Sequence, residues 1–298
     1  MKTVTLGATG LDVTPIGYGT WQFGGDWGPV DERAAMAAIG HARSLGINFF
    51  DTAQAYGFGR SEWLLGRALA GDLRSARDSL VIATTGGLRM DGDRLVSDAS
   101  PAWLRKVLEA RLDALRTEYV DLYQVHHDPS TPVDETAAAL AGLVREGLIR
   151  HVGVTNYTTD QIAEFAAVLP VETVQPPYHL FRRDIEAGLL PYAAAHGIGV
   201  LAYGPHAHGL LGFRRSLTAV AALRRFAAGR GASVAQLAVA WLLAHPAVQV
   251  AIVGSRTPAN LQSSLGALDL TLSPDDLTEI DTIMAAAARP RYQKDKIT

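Results

Sequence analysis

The chain has 298 residues, 48% of them hydrophobic, and carries a formal net charge of −3. That is enough apolar material for one large core, and α/β barrels reach this length unbroken, so residues 1–298 are expected to form a single domain. The mild acidity leaves no basic stripe for nucleic acid, the absence of cysteine excludes disulfides and thiolate chemistry, and no apolar run is long enough for a membrane span.

The first residues, MKTVTLGATGLDVTPIGYG, lack the apolar core of a signal peptide, so a cytoplasmic protein acting on a small molecule is expected. Lysine is confined to Lys2, Lys106, Lys294 and Lys296, and arginine supplies nearly all the positive charge.

Elements alternate from end to end. Residues 3–17 read as a hairpin with Ala8-Thr9-Gly10 as its turn. Short apolar runs bounded by turn residues predict strands at 15–19, 48–53, 80–85, 120–126, 149–156, 173–178, 199–204 and 248–254. Between them, 3.6-residue periodicity predicts helices near 31–45, 60–70, 101–116, 133–146, 158–168, 186–196, 233–244 and 258–268. Asp31 is the expected N-cap of the first helix and Gly46 its stop. Two further helices are expected, an insertion at 217–229 and a final one at 274–287.

Eight strand–helix units argue for an α/β fold in which a parallel sheet closes on itself. The expected architecture is a (β/α)8 TIM barrel with an N-terminal β-hairpin cap and an extra C-terminal helix. A doubly wound sheet is the rival, but no strand is followed by the G-x-G-x-x-G turn of that fold. Barrel chemistry sits where strands end. There stand Gly19, Thr20 and Trp21, then Asp51 with Tyr56 beyond it, then Thr84 and Thr85. His126, His127 and Asp128 follow, with Thr155 and Asn156, Gln175, Tyr178 and His179, Tyr203, His206 and His208, and finally Gly254, Ser255 and Arg256.

An acid, a phenol and an imidazole at one barrel mouth suit proton transfer to oxygen. The segments that carry them resemble the aldo-keto reductases over nearly the whole chain. Gly46-Ile-Asn-Phe-Phe-Asp-Thr-Ala-Gln-Ala-Tyr-Gly57 is similar to that family's G-x-x-x-x-D-T-A-x-x-Y-G. Asp121-Leu-Tyr-Gln-Val-His126 is similar to D-L-Y-x-x-H, and Gly153-Val-Thr-Asn-Tyr157 to G-V-S-N-F. Gln175 and Tyr178 match Q-x-x-Y, while Ala202-Tyr-Gly-Pro205 with Gly209-Leu-Leu211 matches A-Y-S/G-P followed by G-L-L.

The resemblance implies hydride transfer from NADPH to a small carbonyl or imine. Tyr56 would protonate the substrate and His126 would orient it. Asn156, Gln175 and Thr155 would hold the nicotinamide carboxamide, and Tyr203 would lie under the ring. Gly19, Thr20, Trp21, Gly204, Pro205, Gly209 and Leu210 would line the coenzyme groove. Gly254-Ser-Arg-Thr257, opening a helix, would take the 2′-phosphate, with Arg256 as a planar fork for a dianion.

Two departures stand out. The family's third strand reads A-T-K-G-G, whereas here it is Ala83-Thr-Thr-Gly-Gly87, so Thr85 occupies the place of the tetrad lysine. Without that cation Asp51 should raise the Tyr56 pKa above its usual value of about 10. Asp51 would then bind a proton or hydrogen-bond Thr85. Arg60 and Arg89 are the candidate replacement cations, with Arg60 expected to start a helix that faces outward. At the adenine end Ser263 and Ser264 stand where relatives carry an E-N pair.

Other readings stay open. His127, His179, His206 and His208 are either loop residues or a proton relay. His126, His127 and Asp128 as a metal site is disfavoured, because adjacent strand residues face opposite ways. Trp21 and Trp27 either pack or wall the substrate pocket. Besides reduction, a non-redox lyase, dehydratase or isomerase using Tyr56 and a histidine is an alternative, as is a nucleotide sensor resembling channel β subunits.

Overall fold

A computed structural model describes residues 1–25, 28–207 and 217–288. The chain opens with a hairpin, β1 (Val4–Thr5) and β2 (Asp12–Val13), paired antiparallel. Eight parallel strands then alternate with helices and close a barrel. The first barrel units are β3 (Ile16–Gly19), α1 (Glu32–Ser44), β4 (Phe49–Asp51), α2 (Arg60–Ala68), the short α3 (Ala70–Ser75) and β5 (Val81–Gly86). A second hairpin, β6 (Leu88–Asp91) and β7 (Arg94–Ser97), follows at once. Next come α4 (Pro101–Leu115), β8 (Val120–His126), α5 (Val133–Arg145), β9 (Ile149–Thr155), α6 (Thr159–Ala166) and β10 (Thr173–Val174). The chain continues through α7 (Leu189–His196), β11 (Gly199–Tyr203), α8 (Leu217–Ala228), α9 (Val234–Leu243), β12 (Val250–Gly254), α10 (Pro258–Leu265) and α11 (Pro274–Ala288).

The closed order β10-β11-β12-β3-β4-β5-β8-β9 rules out the doubly wound rival. Local chemistry explains the boundaries. The Asp31 carboxylate accepts from the Arg33 and Ala34 amides at 2.9 and 3.1 Å, and Gly46 stops the chain at φ +89°. β10 is much shorter than the expected 173–178 because Pro176 and Pro177 have no N–H for the ladder.

The core has two layers. Strand residues facing out pack with the helices around Tyr18, Phe50, Tyr123, Val152 and Trp241. Inside the barrel Phe49, Val81, Ala83, Leu122, Leu201, Val250 and Ile252 form a separate cluster, closed by Leu6 and Val13 of the first hairpin. That apolar plug makes the barrel a solid base, so only the ends of the strands are free to carry polar chemistry. Among the described residues no helix is long and apolar enough to cross a membrane.

Candidate active site

Strand register sets the floor of the site. Asp51 lies opposite Gly19 on one side and Ala83 on the other, Thr85 opposite Gln124, and His126 opposite Thr155. The Asp51 carboxyl is 2% exposed. Gln175 Nε2 donates to its Oδ1 at 2.8 Å. Of the two expected outcomes for Asp51, a bound proton or a bond to Thr85, the bond to Thr85 is not formed. Burial, partly offset by that amide, lifts Asp51 from 3.8 to about 7. Neither candidate arginine reaches it. Arg60 begins α2 and pairs with Glu32 at 3.6 Å, while Arg89 holds Asp98 at 2.9 Å.

Tyr56 stands on the loop after β4, stacked on Trp21 with ring centroids 6.3 Å apart. Its phenol is pushed well above 10, first by burial and then by Asp51, Tyr203 and Glu62. Among the described residues no cation counters them, and the hydroxyl stays protonated over the working range. Gly24 makes this position possible, since a Cβ there would lie 2.8–2.9 Å from the backbone of Tyr56 and Gly57.

His126 ends β8 with its pKa lowered by burial, so it is a neutral imidazole near pH 7. The Asn156 amide lies 3.3 Å from its Nδ1 and 3.4 Å from its Nε2. Asn156 is left-handed at φ +62°, a conformation its short amide tolerates and which turns it over the mouth. Thr155 Oγ1 donates to the Gln175 carbonyl at 2.8 Å and so braces the segment that holds Asp51.

Two cavities meet at Trp21, Tyr56 and Tyr203. One, of about 410 Å³, is lined by Thr85, Leu88, Leu95, His126, Thr155 and Gln175. The other, of about 230 Å³, is lined by Gly19, Gln22, Asp51, Gly204, Pro205, His206, Ile252 and Gly254. His206 Nε2 is buried on that wall with no hydrogen-bond partner among the described residues, so the cavity suits a polar guest. Thr20 lines neither cavity. Its hydroxyl donates to the Asp51 carbonyl at 3.0 Å and accepts from Ser61 at 2.6 Å, which ties β3 to β4.

The Ser255 carbonyl accepts from Tyr18 Oη at 2.6 Å and Gln22 Nε2 at 3.1 Å, and Thr257 caps α10. Arg256 is exposed at this helix start. Ser264 Oγ is turned into its own helix, onto Asn260 O at 3.0 Å. Trp27, His208, Gly209 and Leu210 lie outside the described residues.

The description Aldo/keto reductase family matches residues 15–285. The chain belongs to the aldo/keto reductase family. Aldo-keto reductase YhdN of Bacillus subtilis (strain 168) is 36% identical over 95% of this chain and 94% of its own. The NADH-specific methylglyoxal reductase of Escherichia coli (strain K12) is 30% identical over 97% of this chain and 100% of its own. The solved glycerol dehydrogenase of Gluconobacter oxydans superposes with a TM-score of 0.89 at 32% identity, over 100% of this chain and 99% of that one. The protein is thus an oxidoreductase of this family.

This aldo-keto reductase has site features that the strand-end reading missed. Leu88 and Leu95 reach the larger cavity from the β6–β7 hairpin. Glu62, fully buried on α2 behind Tyr56, is raised to about 7 by burial against the pull of Arg111. Thr84 Oγ1 donates to it at 3.4 Å. The helix periodicity around Ser61, Leu64 and Leu65 places Glu62 on an inward face, a signal the sequence did carry.

The histidines divide. His127 sits edge-on to Tyr157 at 5.1 Å and lies 3.0 Å from the Gln161 amide, while His179 Nδ1 accepts from Phe181 N at 3.2 Å. Asp128 is a loop cap. Burial opposes its charge, but bonds from Ser130, Thr131 and Ala99 hold it at about 2.

Proposed function

We propose that this oxidoreductase uses NADPH to reduce a small carbonyl or imine, with Asp51, Tyr56, Thr85 and His126 as an altered tetrad. The carrying observation is the junction of the two cavities, where Tyr56 and Tyr203 border both. When bound, the reduced nicotinamide supplies hydride. Tyr203 and Trp21, which border both cavities, offer ring faces to a flat group. Asn156 and Thr155 stand ready for its carboxamide, with Gln175 using Oε1 while Nε2 serves Asp51. Gly19, Gly204, Pro205 and Gly254 shape the groove, and Arg256 with the turn at Ser255 and Thr257 would hold the 2′-phosphate. Thr20 contributes by fixing the Asp51 backbone.

A substrate in the larger cavity would present its carbon toward the smaller one at Tyr56 and Tyr203. His126, neutral, orients the polar end of the C=O or C=N bond. Tyr56 gives that oxygen or nitrogen its proton and regains one from water. Leu88, Leu95, Ala53 and Trp21 make the remaining wall apolar, and among the described residues no cation lines it to attract a carboxylate.

The test is turnover of a panel of small aldehydes, ketones and cyclic imines with deuterium-labelled reduced coenzyme. Product carrying one deuterium on the former double-bond carbon supports the proposal. Unlabelled, rearranged or dehydrated product supports a non-redox reaction and defeats it.

A further inference from the structure

The β6–β7 hairpin leaves the barrel directly after β5 and has two faces of different character. Its register pairs Leu88 with Ser97, Arg89 with Val96, Met90 with Leu95 and Asp91 with Arg94. Side chains alternate along a strand, and directly opposite residues share a face. Leu88, Met90, Leu95 and Ser97 therefore lie on one face, and Arg89, Asp91, Arg94 and Val96 on the other. Leu88 and Leu95 line the larger cavity together with Tyr56 and His126, so the apolar face is the one turned to the site. The charged face is engaged elsewhere, with Arg89 bound to Asp98 at 2.9 Å and 3.8 Å from Asp91.

The base of the hairpin is fastened. The Asp98 amide donates to the Gly87 carbonyl and Trp103 Nε1 to the Leu88 carbonyl, both at 3.0 Å. The apolar face is thereby held as a fixed wall, yet the fold does not bury it. Leu95 is 53% exposed and Met90, across from it, 43%. Met90 stands two residues beyond Leu88, about 7 Å further along the strand. Apolar surface thus runs from the cavity beside His126 outward along the hairpin. An uncovered apolar strip continuous with a pocket that has polar groups at its floor is the form of a ligand groove. A hydroxylated chain laid on Leu88, Leu95 and Met90 would lose hydration and find no partner in their side chains. An alkyl chain gains with every methylene it covers.

We propose that this hairpin is the specificity element of the site, with Leu88, Leu95 and Met90 seating the alkyl chain of an apolar aldehyde whose carbonyl lies at Tyr56 and His126. The substrate class is then chain-bearing apolar aldehydes, as against hydroxylated or charged ones. The assignment rests on the reductase reading for the fate of the carbonyl, but the seating of the chain is measurable without turnover.

The test has two arms. The first is kcat/KM for propanal, pentanal, heptanal and nonanal, with glyceraldehyde as the hydroxylated comparison. In the second the matching primary amides, which keep the carbonyl and chain but accept no hydride, are titrated onto the coenzyme-free protein by calorimetry. Both kcat/KM and amide affinity should rise about two- to fourfold for each added methylene, and glyceraldehyde should fall below pentanal. In Leu95→Thr and Met90→Gln the ratio of the nonanal value to the propanal value falls by about tenfold. Met90→Gln alters an exposed position and serves if Leu95→Thr fails to fold. Val96→Thr, a like change on the other face, leaves the ratio as it is and separates lost chain contact from a loosened hairpin. Amide affinity that climbs with chain length while no aldehyde is turned over supports the chain site and defeats the reductase reading. Turnover with a flat aldehyde series, flat amide affinity, or equal ratios in Leu95→Thr and Val96→Thr overturns the hairpin assignment.

Discussion

Restoring a tethered cation by Thr85→Lys is the sharpest perturbation of the tetrad. In the native chain burial raises Asp51 from 3.8 to about 7, a penalty of about 4 kcal/mol on the ionised form. An ammonium about 4 Å away at an effective dielectric of 20 supplies roughly 4 kcal/mol of attraction. The two are of equal size, so Asp51 returns toward its ordinary value. Tyr56 exchanges a negative neighbour for a neutral pair and its pKa falls into the range where proton transfer is efficient. Well-tuned acid catalysis contributes about 10²–10⁴-fold. Since Gln175 continues to hold one oxygen of Asp51, the lower part of that range is expected. The assay is kcat/KM for a simple aldehyde against pH, followed by loss of reduced-coenzyme absorbance. The variant should gain about 10²-fold, mostly in kcat, with the alkaline limb of the profile shifted to lower pH. A folded variant with unchanged kcat/KM and an unmoved limb refutes the electrostatic reasoning.

Asp51→Asn tests the burial penalty through stability. The native carboxyl titrates at about 7 and the unfolded one at 3.8. The native state therefore binds more protons between these values, and stability falls as pH rises through them. The asparagine variant should match wild type at pH 4 and below and exceed it by up to about 4 kcal/mol above pH 7 in urea unfolding; a pH-independent difference contradicts this. Gly24→Ala places a methyl 2.8–2.9 Å from the Tyr56 and Gly57 backbone. It should lower kcat/KM by about 10²-fold with circular dichroism unchanged, and a fully active variant shows that the phenol position is not set there. Arg256→Gln should weaken NADPH by about tenfold or more and leave NADH nearly unchanged. Equal loss for both coenzymes removes Arg256 from the 2′-phosphate site.

The barrel was legible because its strands are short apolar runs with clear stops. β8 falls on 120–126 as read, and Asp31 and Gly46 bracket α1. The β6–β7 hairpin was not recognised, although Asp91-Gly92 with Gly92 at φ +60° is a turn signal between alternating residues. Met90 and Leu95 are 43% and 53% exposed, so the hairpin offers little of the buried periodicity by which the other strands were recognised. Asp51, Tyr56 and His126 could be placed from motif spacing, and the structure gathers them at one mouth. The Gln175–Asp51 bond joins residues 124 positions apart, and only strand order brings them together. Thr85 shows the same limit from the other side. Its identity announces a missing charge, but the unpaired Gln124 and Thr173 beneath it emerge only from packing.

The proposed reduction requires a phosphorylated nicotinamide coenzyme at the junction of the two cavities, extending to Arg256. Titration of the protein with NADPH and with NADH, following quenching of tryptophan fluorescence with Trp21→Phe as control, tests it directly. Saturable quenching by both is expected, tighter for NADPH, and largely lost in the control. Absence of saturable quenching by either coenzyme, confirmed by calorimetry, contradicts it.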